Sequence, residues 1–329
     1  MLAEGYLMQG QTYMALELLS RRAEDVEEYI DRNCPTTDNQ QWFSFSSPFD
    51  RLAYQVVERD PRELRDVGEP LDRLYADLAL ARMTDGDTHL AIEALKQAVR
   101  WNPMACEHRL NLAELCRDVG DISEYLALSH SVLIRASEPS HLIRAFLSFA
   151  KYFQASGKSR EAAALLRAAR RVDASDPLLR VALDQAVGTQ YDPDVVSDEE
   201  EGRILDELQL PRGANAQVVI CLLQCALDAR ELGDQDAETR LMLRARALAG
   251  TELSHRLMGG ASRMCGACGC CRRRRQRGHR GRARGGSYRW RGVGHSQLPQ
   301  RAGATGARIP KAHKKGASLR TESPVTTTR

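Results

Sequence analysis

The chain has 329 residues, of which 43% are apolar, 28% are charged and only 5% are aromatic. This composition is ordinary for a globular protein, and the length allows one or two domains with a substantial core. Abundant Ala, Leu and Arg favour helices over a β-sandwich or barrel. The sequence has no run of the roughly 18 apolar residues that a membrane span needs, and its first residues are acidic where a signal peptide is basic, so we expect a cytoplasmic protein without a membrane partner.

The net charge of +3 hides a strong asymmetry along the chain. From Arg263 onward there are 18 Lys and Arg residues against one acid, Glu322, whereas residues 1–262 contain 29 Lys and Arg against 43 Asp and Glu. The sequence therefore consists of a body with a charge of −14 and a basic tail with a charge of +17. Five cysteines are scattered through the helical pattern of the body, which is typical of buried thiols in a reducing compartment.

A repeated helix-turn-helix pattern is the main structural signal. In "DLALARMTDGDTHLAIEALKQAVRWNP", residues 77–103, two apolar runs at helical spacing flank Gly86-Asp87, which predicts a helix, a tight turn and a second helix. The layout returns at Gly120 and Gly157, so the turns are 34 and 37 residues apart. A period near 34 is typical of helical solenoids. We expect Pro103, Pro139 and Pro177 to end successive units.

These residues resemble the tetratricopeptide repeat (TPR) family, in which small residues recur at fixed positions of each unit. The second unit fits less well, because Tyr125 and Val132 occupy positions where small residues are expected. The resemblance implies an all-α fold, a TPR-like α-solenoid of helix-turn-helix repeats with a disordered C-terminal tail. The positions that carry it are Ala79, Gly86, Ala91, Ala98, Pro103, Ala113, Gly120, Ala150, Gly157, Ala162 and Ala169.

Six segments are expected along the chain. Residues 1–31 form a degenerate TPR-like unit, 32–67 an aromatic-containing insertion and helix, 68–187 the repeat array, 188–215 an acidic linker with a short helix, 216–256 a terminal helical pair, and 257–329 the basic disordered tail. The carboxylates of the linker are expected to form a solvated face. The aromatic cluster of the insertion, Trp42, Phe43, Phe45 and Phe49, either forms a satellite core under the array or serves as an exposed anchor for a partner.

The sequence contains no nucleophile elbow, P-loop, dinucleotide fingerprint or HExxH motif. We therefore expect a protein that is not an enzyme and needs no cofactor. Asp87 and Asp121 follow turn glycines and are expected to cap the next helices. Cys221 and Cys225 have the spacing of metal ligands on one helix face, but the sequence shows no two further ligands nearby.

The TPR resemblance implies a partner protein or peptide bound in a concave groove that the first helix of each unit lines. The candidate groove residues are Arg73, Asp77, Asn111, Glu114, Arg117, Arg144 and Lys151. One TPR subset clamps a C-terminal carboxylate, but only Asn111 matches the polar residues of that clamp by identity. The sequence thus predicts a non-catalytic interaction scaffold and does not identify its partner.

The basic tail has three open interpretations. In the first, Cys265, Cys268, Cys270 and Cys271 bind zinc and the arginines bind nucleic acid, which makes a nucleic-acid-binding protein the alternative function. Three of these cysteines are crowded into four positions, however, and zinc sites usually separate two ligand pairs by a longer loop, so we expect no metal.

In the second interpretation the tail is a genuine disordered basic segment. In the third it is an out-of-frame translation of a GC-rich gene, because arginine and glycine codons read one nucleotide later encode aspartate and alanine. The alternative frame is then expected to encode an acidic, alanine-rich helix that covers Leu241, Leu243 and Leu248 at the end of the body.

Overall fold

The described part of the chain is mostly helical. A computed structural model describes residues 2–249, which belong to one compact unit. Within this range there are thirteen α-helices and two short strands, and the fold class is all-α, as predicted. The helices are α1 (Leu2–Met8), α2 (Thr12–Asn33), α3 (Pro48–Glu58), α4 (Leu71–Asp85), α5 (Thr88–Trp101), α6 (Cys106–Asp118), α7 (Ile122–Arg135), α8 (Pro139–Ala155), α9 (Ser159–Val172), α10 (Pro177–Ala186), α11 (Asp198–Glu207), α12 (Ala216–Leu232) and α13 (Gln235–Ala249).

Consecutive helices pair into hairpins across the predicted turns. The pairs are α4 with α5, α6 with α7, and α8 with α9. Gly86 and Gly120 follow the first helices of two pairs with φ of +90° and +86°, a left-handed conformation that costs glycine little because it has no Cβ. Asp87 and Asp121 then cap α5 and α7, and each accepts a 3.0 Å hydrogen bond from the backbone N–H three residues on.

Two prolines have a different role from the predicted one. Pro139 and Pro177 are the first residues of α8 and α10, where the N–H that proline lacks would have no helical partner. Pro103 lies between α5, which ends at Trp101, and α6. Pro139 and Pro177 therefore begin the next helices rather than end the preceding units.

Small residues at the predicted positions allow the paired helices to approach closely. Ala91, Ala98 and Ala162 are fully buried in the apolar clusters between helices. The second pair buries larger side chains at the equivalent positions, since Tyr125 and Val132 are also inaccessible to solvent. The Tyr125 hydroxyl donates to the backbone oxygen of Ser148 at 3.0 Å, so the larger side chain joins α7 to α8.

Further helices extend the stack on both sides. Helices α1 and α2 form a hairpin, and α2 packs on α4. On the other side, α10 packs against α8 and α9. The stack therefore follows the chain from α1 to α10, with only the insertion that contains α3 interrupting it.

The insertion contains two strands that the sequence analysis did not predict. Strand β1 (Gln40–Phe43) pairs in parallel with β2 (Glu63–Asp66), and α3 connects them. Phe43 and Phe49 are buried, and the ring centroid of Phe43 lies 4.9 Å from that of Phe45 and 4.6 Å from that of Tyr54. This burial favours the satellite-core interpretation of the aromatic cluster over the exposed anchor.

The terminal pair, α12 with α13, packs against the insertion. Helix α12 contacts α3, and Val218 and Leu222 join the apolar cluster around Phe43. The guanidinium of Arg244 on α13 donates to the backbone oxygen of Ser137 at 3.3 Å. Leu241 and Leu248 also pack against the described core, so only Leu243 of the three leucines remains exposed.

The expected solvated face of the acidic linker is confirmed only in part, because the side chains of Asp194 and Asp198 stay 70% and 75% exposed whereas Glu201 is buried. Helix α11 packs on α9, and its carboxylates pair with arginines of that helix because both rows face each other. Glu201 is completely buried beside Arg171. The remaining pairs that join the linker to α9 include Arg160 with Glu200, Arg167 with Asp198, and Arg170 with Asp194.

The alanine positions offer a test of the helix packing. We expect Ala91→Leu and Ala162→Leu each to lower the free energy of unfolding by about 1–3 kcal/mol, because both sites have no room for a larger side chain. The measurement is urea denaturation followed by circular dichroism. The control, Ala127→Leu at an exposed position of α7, is expected to change stability by no more than about 0.5 kcal/mol. Neutral results at both buried sites would contradict the packing described here.

Candidate functional site

The candidate groove residues lie on the first helices of three consecutive hairpins. Helix α4 carries Arg73 and Asp77, α6 carries three of them, and α8 carries Arg144 and Lys151. All are exposed or partly exposed. We call the surface that they form with their exposed neighbours the first-helix face. It consists of Glu4, Met8, Arg73, Asp77, Leu80, Met83, Glu107, Asn111, Glu114, Arg117, Asp118, Arg144 and Lys151.

Contacts between hairpins hold this face together. Arg73 on α4 lies 3.5 Å from the carboxylate of Glu4 on α1. Arg144 on α8 donates a 3.1 Å hydrogen bond to the side-chain oxygen of Asn111 on α6. Residues that are 33 positions or more apart in the sequence therefore meet on one surface.

Within α6, Arg117 is held by its own helix. Its guanidinium lies 2.5 Å from Glu114 and 2.9 Å from Asp118, and the hydrogen bond with Asp118 raises its pKa. It also lies 5.9 Å from the ring centroid of Tyr125. Lys151 differs, because no ion pair with another described residue accompanies its exposed ammonium group.

Asp77 is a partly buried carboxylate on the face whose ionised form is disfavoured. Partial burial raises its pKa, and the nearby carboxylate of Glu4 raises it further. Arg73 and His108 lower it, but they do not outweigh the first two effects. The ionised carboxylate of Asp77 is therefore disfavoured mainly by partial burial and secondarily by the charge of Glu4.

A buried polar cluster behind the face connects the hairpins to the insertion. Asp72, at the start of α4, accepts hydrogen bonds from Ser46 at 2.9 Å and from Asn102 at 3.1 Å. His108 on α6 lies 3.6 Å from the same carboxylate. Burial raises the pKa of Asp72, but His108, Asn102 and Ser46 together hold it below its ordinary value.

Sequence analysis missed this cluster, because each member is an unremarkable polar residue at a helix end. It positions the beginnings of α4 and α6, and with them the first-helix face.

The described part of the chain shows no metal centre. No group of His, Cys, Asp and Glu among residues 2–249 is arranged to hold a metal ion. Cys221 and Cys225 are free thiols, and burial raises the pKa of both to about 11. Cys265, Cys268, Cys270 and Cys271 lie outside the described residues, as does the rest of the basic tail. In the described range, every helix is too short or too polar to cross a bilayer.

Comparison with known proteins does not assign the chain to a family. No protein-family model and no curated protein matches the chain. Membership of the TPR family therefore stays a prediction that depends on the repeat positions in the sequence.

The charge at Asp77 has a measurable effect on stability. Its pKa is raised in the folded state, so the folded carboxyl holds its proton more tightly than the unfolded one, and stability falls as the pH rises above about 4. We expect Asp77→Asn to raise the urea midpoint at pH 7 and to leave it unchanged near pH 3. The gain is expected to stay below about 1 kcal/mol, because the group is half exposed. Asp25→Asn, at an exposed acid of α2, is the control. A lower midpoint for Asp77→Asn at pH 7 would contradict this account.

Proposed function

We propose that the protein is a non-catalytic, TPR-like scaffold that binds a segment of a partner protein along the first-helix face. The observation that supports this proposal is the arrangement of that face. Side chains from four successive hairpins meet there in one exposed row, and the sides of the same helices that face inward are buried. A row of this kind is suited to an extended segment that crosses several helices in turn.

The packing of the helices beneath the first-helix face favours binding at this surface. Helices α4, α6 and α8 bury Ala79, Leu112 and Phe146 on the side opposite the face. Side chains on helices with packed cores keep their positions, so little entropy is lost when a partner binds. Charged residues of both signs and exposed apolar residues on one surface supply electrostatic selection and apolar contact area.

The aromatic insertion is a weaker candidate for the same role. Phe43 and Phe49 are buried against α12, and the indole N–H of Trp42 is bonded to the backbone oxygen of Pro35 at 3.1 Å. An anchor residue must be free to enter a pocket of the partner. The burial of these rings therefore favours the first-helix face.

Site-specific photo-crosslinking tests this function. A photoreactive amino acid replaces Thr84, which is exposed on α4 one turn after Leu80 of the first-helix face, or, as the control, Glu93 on the exposed side of α5. In cells that naturally contain the chain, we expect a discrete crosslinked protein from position 84 and none from position 93. Charge reversal by Glu114→Lys or Arg144→Glu is expected to lower the yield of that product by roughly tenfold, as expected for loss of about 1.4 kcal/mol of binding free energy.

Two results would contradict the proposal. Equal crosslinking from positions 84 and 93 would show that contact is not confined to the first-helix face. Full retention of the product in both charge-reversal variants would move the partner site to another surface, with the insertion around Trp42 as the next candidate.

A further inference from the structure

Charge is distributed unequally along the first-helix face. Helices α1, α4 and α6 contribute five carboxylates and only two guanidinium groups to it. Helix α8 contributes only cations, Arg144 and Lys151, and Arg144 donates a hydrogen bond to the neutral amide of Asn111. The face is therefore acidic over the first hairpins and basic over α8. The five carboxylates belong to Glu4, Asp77, Glu107, Glu114 and Asp118.

Exposed apolar side chains lie beside the acidic part of the first-helix face. Leu80 is 56% exposed and Met83 is 38% exposed, and they follow Asp77 by about one and two helical turns. Met8, at the end of α1, is 89% exposed. Leu7 and Leu78 pack against the same apolar cluster, and α1 contacts α4. Large apolar side chains exposed next to carboxylates are suited to a partner that offers both an apolar and a basic group.

Asp77 is a carboxylate of the first-helix face that forms no ion pair with a described cation. Its neighbour Glu4 is already paired with Arg73, at 3.5 Å. No described cation lies within 4 Å of Asp77 itself, and like charge and partial burial both oppose its ionised form. A lysine or arginine of a partner would offset the repulsion from Glu4 with a favourable charge interaction.

We propose that the partner segment presents a lysine or arginine to Asp77 and an apolar side chain to Leu80 and Met83. This inference rests on the proposed function and specifies the chemistry of the partner. Asp77 and Leu80 are about one helical turn apart, near 5 Å along α4. In an extended segment, side chains two positions apart lie on the same side at about 6.6 Å, so the basic and apolar residues are expected at i and i+2. The cations of α8 repel a basic residue there and confine it to the α4 side.

A peptide-display experiment tests this chemistry. The probe is a library of random 12-residue peptides selected on the full chain. We expect the enriched peptides to share a basic residue with an apolar residue two positions away. Asp77→Lys is expected to weaken the binding of these peptides by at least about tenfold. A fresh selection on this variant is expected to enrich acidic residues at the same position of the peptide. Leu80→Glu is expected to weaken the binding of these peptides by a similar factor.

Two further variants keep the test specific. Asp77→Asn removes the charge and preserves the shape of the side chain. It is expected to weaken the binding of the enriched peptides by about threefold. Asp25→Lys, which makes an equal charge change at an exposed position of α2, is expected to leave them unaffected. Circular dichroism of each variant confirms that it is folded.

The remaining outcomes separate the two proposals. Enriched peptides that are acidic, or that bind Asp77→Lys and Leu80→Glu as well as the original chain, would overturn this inference. If such peptides still lost affinity on Arg144→Glu or Glu114→Lys, the proposed function would survive. Peptides that bind every variant equally, or a selection that enriches nothing, would overturn both.

Discussion

The close approach of paired helices at alanine is the constraint on which the rest of the fold depends. Ala91 and Ala162 are fully buried where the second helix of a hairpin meets the first. A side chain of one carbon permits this distance, and interiors packed as densely as crystals leave no space for more. With the spacing of each hairpin set in this way, consecutive hairpins are aligned by the packing of α5 on α6 and of α7 on α8. The first-helix face exists because of that alignment.

Local signals explain why the hairpins were predictable. A turn glycine with positive φ, a capping aspartate after it and alanines at helical spacing each act within a few residues, so Gly86, Asp87 and Ala91 together indicate a hairpin without reference to the rest of the chain. The groove candidates could be placed on helices for the same reason. Their contacts with one another, such as Arg144 with Asn111, were not predictable, because they depend on how neighbouring hairpins stack.

Features that join distant segments could not be predicted from the sequence. Strands of four residues show too little periodicity to be recognised, so β1 and β2 were missed. The acidic linker has the composition of a solvated segment, and only the facing arginines of α9 explain the burial of Glu201. The carboxylate of Glu201 is costly to desolvate even beside Arg171, whose side chain stays 47% exposed.

The docking of α12 and α13 on α3 has a consequence for how the protein folds. In an ordinary solenoid each repeat touches only its neighbours, so folding can begin anywhere and spread along the chain. Here Phe49 and Val218, 169 positions apart, belong to one apolar cluster. Closing so long a loop costs entropy before any contact compensates for it, which slows folding. Once formed, the closure holds α3 and α12 together, so the insertion and the terminal pair are expected to unfold as one unit.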